Sequence, residues 1–279
     1  MEEWTKIIEP KTGGVDLKLR QLWQYRDLIY MFVRKDLVVK YKQTILGPIW
    51  YIVQPLITSI MFTFIFGRIA KIPSDGIPHY LFYLAGITCW GYFSICLTTT
   101  SDTFTTNQAI FGKVYFPRIA IPISIVISNF LKFCIQLGVF LFFYFLYMYK
   151  GAAVEPNYYL FLLPVLVLMM GGLSLGFGML FSAMTTKYKD LKFLLSFFIQ
   201  IWMYGTPIIY PLSEAPEKYR WIIALNPMTS IITTFKYAFF GKGDFRWDYL
   251  IYSFVFMIVL LFVALIIFNK VEKNFMDTV

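Results

Sequence analysis

Side chains able to do chemistry are few and widely spaced. His79 is the sole histidine, and Cys89, Cys96 and Cys134 are the only cysteines. All three cysteines fall in long apolar runs, where thiols pack as small hydrophobes, and their spacing suits neither zinc nor a disulfide framework. No HExxH, GxSxG or phosphate-binding P-loop occurs. Lys132 is the only charge well inside an apolar run; Asp102 and His79 sit at the ends of such runs. With no paired acids, a proton relay or an ion-channel ring has no raw material. Lys132 reads as a snorkelling or cavity-lining side chain ahead of a substrate contact. The dense charge cluster is Arg34, Lys35, Lys40 and Lys42. It has two readings: a membrane-surface anchor, or an anion site at headgroup depth where phosphates gather. The residues alone favour the anchor.

The elements that must carry these groups follow from composition. The 279 residues are 58% hydrophobic, 20% aromatic and only 15% charged. A soluble domain is about a quarter charged and under half apolar, so the excess must face lipid. The net charge of +9 needs no nucleic acid to explain it, because cytoplasmic loops of membrane proteins carry excess Lys and Arg. Crossing about 30 Å of hydrocarbon takes roughly 20 helical residues. Gly47–Gly67, Tyr80–Ser101, Asn157–Thr186, Phe193–Ser213 and Tyr249–Asn269 are free of charge, and Ile119–Tyr149 is interrupted only by Lys132. The expected fold is an all-α polytopic membrane protein with six transmembrane helices at 49–68, 80–102, 121–148, 159–183, 191–210 and 248–268.

Two further elements flank the spans. Leu22, Tyr25, Ile29, Phe32, Val33 and Leu37 share one face of a helix over Arg20–Lys42, which predicts an amphipathic helix in the interface plane. Trp221–Phe235 is apolar, too short to span and broken by Asn226-Pro227. It predicts a pair of short helices in a re-entrant outer hairpin between spans five and six, with Pro207 kinking span five into it. Gly171, Gly172, Gly176 and Gly178 in span four suit close helix approach. With six spans both termini share one side. That side carries 16 of the Lys and Arg, against eight on the other with Arg68 included, so it is cytoplasmic. Met1-Glu2-Glu3 is acidic and no short apolar run follows, so the first span is expected to target the chain.

Several runs resemble the ABC-2 type permeases that export polysaccharides. These runs are Arg34-Lys35-Asp36-Leu37, Lys40 through Trp50, Gln54-Pro55-Leu56, Phe111 through Pro117, Thr186 through Asp190 and Leu225-Asn226-Pro227-Met228. They lie in order along residues 20–275. The resemblance implies a homodimer in a bacterial inner membrane, paired with two ATPase subunits that bind ATP and Mg; no cofactor is expected in this chain and no catalytic residue. Residues 1–48 would form a cytoplasmic tail and interface helix. Residues 49–279 would form the permease domain with a short cytoplasmic tail.

The resemblance also implies roles. The substrate would be a polymer on a polyprenyl diphosphate, O-antigen first, teichoic acid or capsule next. Arg34, Lys35, Lys40 and Lys42 would hold the diphosphate, and Leu46 and Gly47 would lie where it enters. Asn107, Phe111, Lys113, Tyr115, Phe116 and Pro117 would form a coupling helix seated on the ATPase, with Lys187 and Asp190 as a second contact. For the aromatic rings alone, marking of the membrane boundary is an equal alternative. Trp50, Tyr51, Trp202, Tyr204 and Tyr210 are candidates for a channel lining on which sugar faces slide; packing or lipid contact is the alternative. An intramembrane enzyme of lipid-linked sugar metabolism is the rival from another class, and it would depend on Lys132 and Asp102. An ABC-2 exporter of small hydrophobic compounds is the third reading.

Overall fold

Lipid leaves a long apolar backbone one economical way to satisfy its own N–H and C=O groups, the α-helix. The computed structural model describes residues 23–42, 47, 49–111, 116–186, 188 and 190–274. Its principal helices are α1 (Arg26–Lys42), α2 (Ile49–Phe62, prolonged by a π-helical stretch Thr63–Ile69), α3 (His79–Ser101), α4 (Ala120–Tyr149), α5 (Leu163–Thr185), α6 (Leu191–Tyr204), α7 (Glu217–Leu225), α8 (Pro227–Phe240) and α9 (Trp247–Asn274). Among the described residues, five stretches are long and apolar enough to cross a membrane: Ile49–Ile69, His79–Ser101, Ala120–Tyr149, Tyr158–Thr185 and Trp247–Val271.

The expected span at 191–210 is the exception. Its helix has 14 residues and stops at Tyr204. Pro207 brings no N–H and pushes Thr206 out of the helical region, so the ladder cannot continue. The broken end is tied to the hairpin: the Thr206 hydroxyl donates to the Trp202 carbonyl at 2.7 Å and accepts from Asn226 Nδ2 at 2.8 Å. The segment still runs the length of α3. Lys192 pairs with Asp102 at one end of α3, whereas the Ser213 hydroxyl donates to Asp75, just ahead of the other end.

Helix α3 is the centre of the molecule. Leu81, Phe82, Tyr83, Phe93 and Leu97 on it are buried, and α2, α4, α5, α6 and α8 all pack against it. Close approach between α5 and its neighbours depends on glycine. A Cβ on Gly178 would lie 2.5 Å from Thr100 Cβ on α3, and one on Gly176 would lie 2.8 Å from Leu260 on α9. Without a hydrophobic drive between helices in lipid, such contacts supply the packing. Many hydroxyls inside the helices turn back on their own backbone, as Ser59 does to Pro55 O (2.7 Å) and Thr88 to Leu84 O (2.8 Å), which satisfies those donors within the apolar layer.

The predicted pair of short helices is present as α7 and α8, broken at Asn226. The Asn226 side chain accepts from the Met228 N–H at 3.0 Å and Pro227 opens α8, a capped start. Gly241, with φ of 65°, ends α8. The apolar face of α1 meets protein rather than solvent: Tyr25, Leu28, Ile29, Phe32 and Val33 lie on this side, and the first four pack on a cluster around Phe104, Phe111, Phe116 and Phe268. The opposite side mixes exposed Trp23, Tyr30 and Met31 with Arg34 and Lys35.

Candidate functional site

Arg34 and Lys35 are exposed on the outer side of α1, one turn beyond Tyr30 and Met31. Lys40 and Lys42 belong to the same helix, but their side chains lie outside the described residues, as does Leu46. Gly47 stands between α1 and α2 with φ of 31°, a region that a Cβ disfavours. A glycine there lets the chain turn sharply from α1 into α2.

Trp50 is exposed on α2, while Tyr51 is half-buried and faces α4. Two α4 side chains one turn apart hold Tyr51. Gln136 Nε2 donates to its carbonyl at 3.2 Å, and Lys132 Nζ lies 5.3 Å from the centre of its ring. Lys132 itself is buried and donates to Asn129 Oδ1. The intramembrane lysine thus belongs to a polar stripe, Asn129–Lys132–Gln136, that faces the first span.

The remaining aromatic candidates divide. Tyr204 is exposed at the end of α6. Trp202 is wedged among Trp90, Phe93, Phe177 and Phe198, with centroids 5.1 to 6.0 Å away. Tyr210 packs half-buried on the main core. Within one chain these five rings do not line a common path. The outer sides of α2 (Ile57, Ile60, Met61, Phe64) and α6 (Phe193, Phe197, Ile201) are apolar and uncovered.

The segment expected to couple to an ATPase, Asn107–Pro117, follows one helical turn, Thr103–Thr106, and opens on a second, Gln108–Phe111. Asn107 Nδ2 donates to Thr103 O at 3.0 Å between them. Phe111 and Phe116 do not point outward: both are 4% exposed. They sit 5.9 Å apart; Phe32 of α1 lies 5.8 Å from Phe116, and Phe104 stacks 4.7 Å from Phe268 of α9. Arg118 covers the Phe111 ring at 5.0 Å, and Pro117 is buried. The rings therefore anchor the segment to α1, α5 and α9. Lys113, Tyr115 and Lys187 lie outside the described residues, and Asp190 is exposed ahead of α6.

Three residues matter that the sequence did not single out. Lys192 pairs with Asp102 at 2.7 Å and donates to Thr105 Oγ1 at 2.9 Å, joining the start of α6 to the Thr103–Phe111 turns. Its only signal was a lysine at the edge of an apolar run. Gln136 reads as an ordinary polar residue in a span until Pro55 is placed opposite. Lys236 of α8 is buried, donates to Pro207 O at 2.8 Å and sits 3.3 Å over the Phe82 ring. No periodicity marks it.

The family described as ABC-2 type transporter matches residues 27–240. The chain is 31% identical to an O-antigen export system permease protein, RfbA, of Klebsiella pneumoniae, over 90% of this chain and 94% of that protein. A second Klebsiella pneumoniae protein of that name is 30% identical over the same shares. An RfbA of Myxococcus xanthus is 26% identical over 94% of this chain and 98% of its own length. The matched stretch takes in the basic face of α1, the turns that anchor on Phe111 and the helix pair broken at Asn226, and the chain belongs to the ABC-2 type transporter family.

Proposed function

We propose that this chain is the membrane permease subunit of an ATP-driven exporter of O-antigen-type polysaccharide. The observation that carries the reading is similarity to O-antigen export permeases over nine-tenths of the chain. In this reading the protein sits in a bacterial inner membrane with both termini cytoplasmic, and residues 49–279 cross six times. The fifth crossing is α6 completed by residues 205–211. The path of residues 192–213 from one end of α3 to the other supports it. The helix pair α7–α8 then forms a re-entrant hairpin at the outer surface, and α1 lies in the cytoplasmic interface.

Two copies form the transport path. The uncovered apolar sides of α2 and α6 support this, since neither closes a channel within one chain. Two partner ATPases supply the energy with bound ATP and Mg, through the Asn107–Pro117 segment and Asp190. Because Phe111 and Phe116 plug into the permease, a push on that segment reaches α1, α5 and α9 together. Arg34 and Lys35 suit the diphosphate of a polyprenyl-linked polymer, by charge-assisted contacts at headgroup depth.

The test is complementation of a strain lacking its own O-antigen permease, with a tagged pull-down in mild detergent. Restored surface polysaccharide and a co-purifying ATPase are expected. A chain that purifies alone from its native membrane and restores no polymer overturns the reading.

A further inference from the structure

At the end of the molecule away from the Asp102–Lys192 pair, a cavity of about 250 Å³ opens between α7, α8 and the start of α9. It is lined by Arg220, Ser230, Thr233, Asp244, Arg246 and Tyr249, with Leu212 as the apolar wall. Ser230 and Leu212 are buried, while Asp244 and Arg246 are exposed, so the cavity has a closed floor and a charged rim.

The state of Arg220 is informative. One terminal nitrogen donates to the carbonyls of Ser213 and Ala215, at 2.9 and 3.3 Å, which fixes the guanidinium in place. Its Nε is buried and has no hydrogen-bond partner, and it forms no ion pair among the described residues. The guanidinium therefore keeps its charge without a counter-ion beside the cavity, and an anionic group from outside is worth most here. Arg246, by contrast, already pairs with Asp248 at 3.0 Å. With Arg246 balanced by Asp248 and Asp244 exposed to water, the half-buried guanidinium of Arg220 is the charge that favours a negative group on the occupant. Hydroxyls of Thr233 and Tyr249 with the Asp244 carboxylate offer both donors and acceptors to a ligand rich in hydroxyls. The volume lies just under the range of about 300–1,000 Å³ for drug-sized ligands, which admits one ring and not a chain of them.

We infer that this cavity binds a single sugar unit carrying a carboxylate, with the Arg220 guanidinium holding the acid group and Thr233, Asp244 and Tyr249 meeting the ring hydroxyls. It rests on the exporter reading, under which the polymer leaves past this end of the chain, and it adds a docking point there for acidic repeat units.

The experiment is ligand-observed saturation-transfer NMR on the purified full chain in nanodiscs, with D-glucuronate, D-glucose and inorganic phosphate as probes. Glucuronate binding ahead of glucose, weakened about tenfold by Arg220→Ala, is the expected result. Arg246→Gln on the exposed rim, which leaves the backbone ties of Arg220 intact, is the second variant, and it should weaken glucuronate while sparing glucose. Equal binding of glucuronate and glucose, or binding indifferent to both variants, overturns the site. Displacement of glucuronate by equimolar phosphate overturns the sugar half and leaves a simple anion site. Binding is read without transport, so its absence overturns this site alone, and the complementation test judges the exporter separately.

Discussion

Gln136 on α4 donates to the carbonyl of Tyr51 on α2 at 3.2 Å, and that carbonyl is the one to which Pro55, four residues on, cannot donate. A proline carries no N–H for the carbonyl four residues back. In water such a carbonyl draws on the solvent; in an apolar layer its donors come from protein. Gln136 is one such donor, and Lys132 one turn earlier covers the ring of the same tyrosine. The first span is therefore held to the third at its own break. If α2 moves during transport, this contact is among those that must yield.

Replacing Gln136 by Leu should take the cross-helix donor from the Tyr51 carbonyl. An unsatisfied buried acceptor costs about 1–3 kcal/mol in soluble proteins, and polar contacts between membrane helices run lower, about 0.6 kcal/mol on average; a loss of about 1 kcal/mol is expected. Pro55→Ala restores the N–H, so Gln136→Leu should cost less in that background. Thermal unfolding of the four proteins in one detergent closes the cycle. Equal cost in both backgrounds would show that Gln136 acts elsewhere.

Glycines on two helices should respond in opposite ways. Gly178→Val forces a side chain onto Thr100, whose Cβ lies 2.5 Å from where the new Cβ must sit, and overpacking of this kind costs about 1–3 kcal/mol. Gly138 on α4 has nothing within 4 Å of that position. Gly138→Ala should be neutral or raise the melting midpoint, because alanine is the better helix former by about 1 kcal/mol. The pair of midpoints checks both.

Much of this was legible beforehand because lipid imposes simple arithmetic. Charge-free length located five helices, those at 49–68, 80–102 and 121–148 to within about one residue at each end and the last two less closely, and Asn226-Pro227 announced the break between α7 and α8. The sixth expected helix fell short because apolarity counts residues without asking whether Thr206-Pro207 lets them stay helical. The face of α1 was legible too, but not its partner: periodicity shows an apolar side without saying whether lipid or Phe116 covers it. For the site, charge and aromatic type single out segments without saying what each side chain meets. Pairings such as Gln136 with Tyr51, or Lys192 with Asp102, span 85 and 90 positions along the chain and leave no local pattern.

The two contacts at the Asp102 end of α3 should differ sharply in weight. Phe116→Ala removes a ring that is 4% exposed, and emptying such a site costs about 3–5 kcal/mol. Asp102→Asn loosens an ion pair whose partners are both 36% exposed, worth about 0.2–1 kcal/mol. The phenylalanine variant should therefore lose folded yield as well as ATPase retention, while the asparagine variant keeps its fold. Size-exclusion profiles and pull-down stoichiometry, read together, separate anchoring from docking; a Phe116→Ala protein that folds normally would place that ring on the outside after all.

Lys236 supplies a pH dependence of defined sign. Burial holds its ammonium well below the usual lysine range, against the opposing pull of Cys89 and Asp75. An unfolded lysine keeps its proton to about pH 10.4, so below that value the unfolded chain binds the proton better than the folded one. Stability contributed by this group therefore rises as pH climbs towards the unfolded value and falls as pH drops. The melting midpoint of the unaltered protein should gain on that of Lys236→Met between about pH 7 and pH 10. The difference between the two proteins cancels every other titrating group they share. A constant difference across that range would mean that the bonds to Pro207 and Ile208, and the Phe82 face beneath, hold the charged form as well as water does.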